Sequence, residues 1–366
     1  MSTKKSKELI VLKMILWIYI ILCIIIAGIN YGYASHASPK AAAFITWFWQ
    51  FYENWIKTIF IILCSVLTVK IIGKSSRTGK RKRNFIGFII TALIVHIITP
   101  VFLNNGEIYF FAMPLPWSTT PLQLLYPESS IYQSHIQSWG IAGISAALIF
   151  YLCFSILVIV GTLLFGRQWQ CSTLCLFNGF ASEVFEPAIP LIGKKKKLKS
   201  KMLFALMIVR WVFLGIALFF TIWWILFLSG ISIPGIPQVI SKVENYKYLT
   251  AELLMAMFFW IAFIGRGYCY YCPLGTFLGI LSKLSGQKIT TGNTKCIQCG
   301  QCNETCPMSI DIKSKAMLGE SVVNLRCVGC SHCVDTCPTR TLSYSTRFLD
   351  AKRFKKHMTD KQAGGR

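Results

Sequence analysis

The chain has 366 residues, 54% of them hydrophobic and only 14% charged, a balance too apolar for a soluble two-domain protein. A formal charge of +24 would point to nucleic acid in a soluble protein. Here Lys and Arg gather in loops between apolar runs, as in the cytoplasmic loops of membrane proteins, so nucleic acid is set aside as a partner and membrane lipid takes its place.

Six apolar segments predict transmembrane helices, at 9–29, 55–72, 85–103, 140–165, 202–228 and 249–264. The first follows Lys4, Lys5 and Lys7 and reads as an uncleaved anchor. Its apolar run exceeds a secretory one, and Ala34-Ser35-His36-Ala37 is a poor cleavage site. The aromatic stretch 41–54 reads as an interfacial helix. Loop 104–139 is rich in Pro and aromatics, and either caps the bundle or faces an outside partner. The sixth segment is short and carries Glu252, placed near the outer interface.

Basic residues follow segments two (Lys74, Arg77, Lys80 to Arg83), four (Arg167, Lys194 to Lys197, Lys199, Lys201) and six (Arg266, Lys283, Lys288). The other loops are nearly bare. The positive-inside rule then places both termini in the cytoplasm of a multi-pass protein of the bacterial inner membrane. His96 in Ile-Val-His-Ile-Ile-Thr-Pro100 is the histidine at helix depth. It is a candidate to bond a quinone carbonyl, with a hydrogen bond between packed helices as the alternative.

Two exits from apolar helices resemble each other: Phe165-Gly-Arg-Gln-Trp-Gln-Cys171-Ser-Thr-Leu-Cys175 and Ile264-Gly-Arg-Gly-Tyr-Cys269-Tyr-Tyr-Cys272-Pro. Duplicated units are a common way to build a membrane protein around a central site. Three readings of Cys171, Cys175, Cys269 and Cys272 stay open: structural turns, a further metal or iron–sulfur centre, or a redox-active thiol pair. Arg167 and Arg266 would favour anionic thiolates in the last two. Cys23, Cys64 and Cys153 have no partners at ligand spacing and are expected in the core.

Near the end stands Cys296-Ile-Gln-Cys299-Gly-Gln-Cys302-Asn-Glu-Thr-Cys306-Pro307, repeated as Cys327-Val-Gly-Cys330-Ser-His-Cys333-Val-Asp-Thr-Cys337-Pro338. This spacing wraps three thiolates around one iron–sulfur cube and sends the fourth to a second. The rule assigns Cys296, Cys299, Cys302 and Cys337 to one [4Fe–4S] cluster, and Cys327, Cys330, Cys333 and Cys306 to the other. A structural zinc site would want four ligands in pairs around one ion. Arg326 and His332 lie near the second cluster in sequence. Cluster thiols also require a reducing compartment, which agrees with the cytoplasmic placement.

The expected fold is mostly α: a helical membrane bundle with a C-terminal two-cluster, bacterial-ferredoxin-like α+β domain. Its parts are 1–84 (two helices and a basic loop), 85–285 (membrane core with both half-repeats), 286–345 (ferredoxin-like) and 346–366 (basic tail). Over roughly 85–345 the chain resembles the membrane polyferredoxins of the NapH/NosR kind, which join membrane helices, paired C-x3-C-P motifs and a cytoplasmic two-cluster domain. It departs from them at Leu176, where the family has Pro, and in the shortened C-x2-C before Pro273. The resemblance implies an electron carrier, possible as a quinol dehydrogenase subunit, between the quinol/quinone pool and another redox protein. An accessory reductase of a metal ion or disulfide, working through the membrane-edge cysteines, is the alternative. A scaffold subunit is the third option.

Overall fold

The computed structural model describes residues 3–72, 79–103, 113–193, 198–231, 236–292 and 294–352. Lys74, Arg77, residues 104–112, Lys194 to Lys197 and the tail beyond 352 lie outside the described residues. In hydrocarbon a backbone amide finds no partner but its own chain, so long apolar runs close into helices. Among the described residues, five helices are long and apolar enough to cross a membrane: Lys7–Tyr33, Pro39–Ile72, Arg81–Phe102, Gly140–Phe165 and Ser200–Leu228. They make this a multi-pass, mostly helical membrane protein.

Two segments differ from expectation. Leu249–Ala262 is shorter than the five long spans found among the described residues, as is the apolar helix Pro273–Leu284. Its C-terminal exit folds back beside it, the Tyr271 hydroxyl donating to the Ala251 carbonyl at 2.8 Å. The aromatic stretch 41–54 is not a separate interfacial helix. Pro39–Phe51 runs through a π-helical turn, Tyr52–Ile56, directly into Lys57–Ile72, because neither Pro nor Gly interrupts 40–72. Further π-helical turns occur at Ile94–Ile98, Trp169–Leu174, Phe180–Val184 and Tyr248–Leu254.

The third span packs tightly on the first half-repeat. A Cβ at Gly87 would stand 2.4 Å from Thr173 Cγ2, and one at Gly179 would stand 2.3 Å from the Phe88 ring. These two glycines therefore set how closely the helix and the cysteine segment approach. At the far end of the bundle, the described part of loop 104–139 caps the helices. Trp117 Nε1 donates to Glu252 at 2.9 Å, Lys247 Nζ to the Trp117 carbonyl at 2.8 Å, and the Thr119 hydroxyl to Glu244 at 2.6 Å.

The C-terminal region is built around a two-stranded antiparallel sheet. Strand β1 (Lys288–Thr291) pairs with β2 (Leu342–Ser345), Lys288 opposite Ser345 and Thr291 opposite Leu342. Between them lie three short helices, of which Gln301–Thr305 and His332–Thr336 pack on each other and Lys313–Met317 lies between the motifs in sequence. The buried core runs without a break from Leu12 in the first span to Tyr344 in β2.

Candidate iron–sulfur cages and an adjoining membrane cavity

The two cysteine motifs are duplicated in backbone as well as in spelling. Each carries a left-handed residue before its second cysteine (Gln298, φ 61°; Gly329, φ 66°) and another after it (Gly300, φ 78°; Ser331, φ 64°). Each carries a third, three residues past its fourth cysteine (Ser309, φ 49°; Arg340, φ 52°). Four of these six positions bear side chains that resist this conformation by about 1–2 kcal/mol each.

The sheet and the paired helices bring the ends of the two motifs together. Cys306 lines one cavity with Cys327, Cys330 and Cys333, walled by Ile289, Met308, Ile310 and Val322. At the other end, the Thr294 hydroxyl, two residues before Cys296, donates to the carbonyl of Thr339, two residues past Cys337. Burial pushes the Cys306 thiol up to about 12, with Cys330 adding to the rise, and burial also raises Cys330 and Cys333. Thiols so crowded resist ionising until a cation neutralises them, so the donor set fits an iron-bearing group. At Cys337 burial pushes upward, but hydrogen bonds from Thr339 and from the backbone at Leu342 and Thr341 outweigh it and hold this thiol low. His332 is buried beside the second motif, whereas Arg326 is half-buried. Among the described residues no three His, Cys, Asp or Glu side chains are set to hold a single metal ion.

This region docks on the first half-repeat. Gln287 accepts from the Arg167 amide at 2.7 Å and donates to the Cys327 carbonyl at 2.9 Å. The Ser172 hydroxyl donates to the Val328 carbonyl and the Tyr344 hydroxyl to the Phe165 carbonyl, each at 2.8 Å. A side chain at Gly166 (φ 75°) would stand 2.4 Å from the Tyr344 oxygen, and one at Gly329 would stand 2.8 Å from Gln168 Cβ. The second half-repeat joins in through Tyr270, whose hydroxyl donates to the Pro307 carbonyl at 3.0 Å.

Cys171, Cys175, Cys269 and Cys272 are all buried beneath this junction. Burial raises Cys269 and Cys272, and Cys272 also feels Cys171, Cys175 and Cys269. Three buried arginines surround them. Arg167 Nε donates to Cys171 Sγ at 3.2 Å, Arg266 Nη1 to the Cys171 carbonyl at 2.8 Å, and Arg210 Nε to Thr276 Oγ1 at 2.8 Å. Burial alone would lower Arg167, but Cys171 and Cys269 raise it.

Above the cysteines lies an apolar cavity of about 740 Å³, mouth included, whose polar lining is Glu53, Lys57, His96, Gln170, Cys175, Cys23 and Tyr19. Five π-helical turns each present a residue to it: Glu53, His96, Gln170, Phe180 and Leu253. Such wide turns occur frequently at functional sites. Glu53 is 1% exposed and accepts from Lys57 Nζ at 2.8 Å. His96 is equally buried. Met113 and Trp117 reach in from the far loop.

Sequence reasoning singled out His96 and the cysteines but missed Glu53, Lys57, Gln170 and Arg210. Glu53 was hidden within the aromatic stretch read as interfacial; its position on an unbroken apolar helix was the signal available. Of the three cysteines expected in the core, Cys23 and Cys64 are buried, Cys23 on the cavity wall, whereas Cys153 is exposed on the outside of the bundle.

Residues 295–342 match the family described as a 4Fe-4S dicluster domain. The chain is similar to two uncharacterized proteins of Methanocaldococcus jannaschii, each 29% identical. One alignment covers 44% of this chain and 59% of the relative, the other 44% and 66%. It is also 34% identical to the "Putative electron transport protein YccM" of Escherichia coli, over 20% of this chain and 22% of that protein. The chain thus spans less than two thirds of the length of these relatives. No solved structure matches it. The dicluster match implies iron–sulfur clusters in a membrane protein of the electron-transport type.

Proposed function

We propose that this protein exchanges electrons between the quinol pool and a redox partner through two [4Fe–4S] clusters on the cytoplasmic side of the membrane. Cys296, Cys299, Cys302 and Cys337 hold one cluster, and Cys327, Cys330, Cys333 and Cys306 the other. When bound, such clusters accept and pass on single electrons. The orientation rests on the basic loops. The quinol reading rests on the cavity, which offers an apolar slot within the bundle, a buried carboxylate and an imidazole on facing helices.

In the oxidising direction a quinol gives up two electrons and two protons. His96, as a neutral imidazole, orients one ring oxygen and takes its proton, leaving the second hydroxyl to Glu53. Glu53 takes a hydroxyl proton as a carboxylate, and Lys57 stabilises its charge until that moment. Trp117 and Met113 close the far side against water. The burial of all four membrane-edge cysteines favours this relay over the accessory-reductase reading, in which a metal or disulfide substrate must reach them.

The test uses the full chain in lipid vesicles, with bleaching of the visible iron–sulfur absorbance by a short-chain quinol as the readout. Glu53→Gln is expected to slow the bleaching about 100-fold, the scale of a lost proton acceptor. Reduction by dithionite should be unaffected. A quinol rate equal to that of the unaltered protein would overturn the proposal.

A further inference from the structure

The chamber holding Cys171, Cys175, Cys269 and Cys272 has too much positive charge for the anions around it. Arg167, Arg210 and Arg266 are each no more than 1% exposed. Among the described residues, the carboxylate bridged to them is Glu183, 3.9 Å from Arg266 Nη2. Arg81, nearby, has Glu186 and Asp335 as its own partners. Arg167 Nη2 and Arg266 Nε find no acceptor among the described residues. Buried guanidiniums are kept only where an anion answers them.

The ligand chemistry of the chamber points the same way. Cys171, Cys175 and Cys269 all lie within electrostatic range of Cys272, and two of the four receive the donors that thiolates attract: Arg167 Nε at Cys171 Sγ, and the Gly275 amide at Cys272 Sγ, 3.3 Å away. The Gly275 amide lies in the first turn of a 12-residue helix, Pro273–Leu284, whose positive end therefore faces Cys272. A side chain at Gly275 would stand 2.5 Å from Arg167 Nη2. No three of these thiols are set for a single ion, and the same is true of the two ferredoxin cages. A thiolate-only donor set, spread wider than one ion needs and ringed by cations, suits an anionic iron–sulfide cube.

We infer that Cys171, Cys175, Cys269 and Cys272 ligate a third iron–sulfur centre of cubane type, counter-charged by Arg167, Arg210 and Arg266. The inference deepens the electron-transfer reading by adding a centre between the membrane cavity and the second cage. Cys175 lines the cavity on one side. On the other, Arg167 lies within electrostatic range of Cys327, and Arg266 of Cys330.

The experiment counts iron and acid-labile sulfide in the full chain, purified without oxygen in detergent, alongside low-temperature spin resonance after dithionite reduction. No quinol is involved, so the outcome is independent of the quinol proposal. About twelve irons and twelve sulfides per chain are expected, four for each cube. Cys171→Ser and Cys272→Ser should each lose about a third of both while keeping the two ferredoxin signals. Eight irons in the unaltered protein would overturn the inference, as would zinc or copper in place of the third set, or serine variants with undiminished iron. Arg167→Gln serves as the second variant should the serine variants not fold. It should retain the iron and lower the midpoint potential of one signal, since a lost cation favours the less negative, oxidised state. Unchanged potentials throughout would refute the counter-charge role.

Discussion

The protein contains two duplications of cysteine segments, and they have fared differently. In the C-terminal region the copies agree in spacing, in helix position and in three matched left-handed residues. At the membrane edge one copy is C-x3-C on a π-helical turn, the other C-x2-C on a 3₁₀ turn. The neighbours account for the contrast. The helices of the two ferredoxin motifs pack on each other, so what shapes one bears on the other. Each membrane-edge motif packs on something different: Trp169–Leu174 on the third span, and Gly267–Tyr270 against the short helix before it. Symmetry survives where the duplicate is the partner.

The strongest way to break this comparison is to remove a crossed ligand. Cys306→Ser is expected to cost about half of the iron of the C-terminal region, and its short elements, with little core of their own, should lose protection from hydrogen exchange together. A loss confined to the first motif would show that the halves are independent. Next, Gly166→Ala places a methyl in a left-handed position and against the Tyr344 hydroxyl, and should destabilise the docked region by about 2–4 kcal/mol, read as a lower melting temperature. Gln287→Leu removes the acceptor for Arg167 and the donor to Cys327, at about 1–3 kcal/mol, and should loosen docking without changing iron content. The smallest effect sharpens the symmetry itself. Ser331→Gly should stabilise by about 1 kcal/mol or less and Gly300→Ser should destabilise by a similar amount, since the two positions share one backbone conformation.

What the sequence made legible follows the same division. The cysteine motifs and the long helices were readable because spacing and hydropathy are local, and one loop or one helix carries each signal. The cavity was not, because it draws single residues from five turns far apart in the chain, and nothing local marks Gln170 or Leu253 as neighbours of His96. The sixth segment's shortness was legible, but not that the fold returns the chain beside it through Tyr271. Arg210 stands alone as a charge within its apolar helix, and only the fold sets it beside Thr276 and the Leu325 carbonyl.

Gln298, Ser309, Ser331 and Arg340 hold backbone shapes that side-chain-bearing residues avoid. A chain newly made in an iron-starved cell has nothing to offset that cost, because the region's folding free energy is supplied by the metal it binds. The region between Lys288 and Ser345 would then stay open to proteases while the helices inserted normally. Iron supply would thus bear on the abundance of the folded protein after translation.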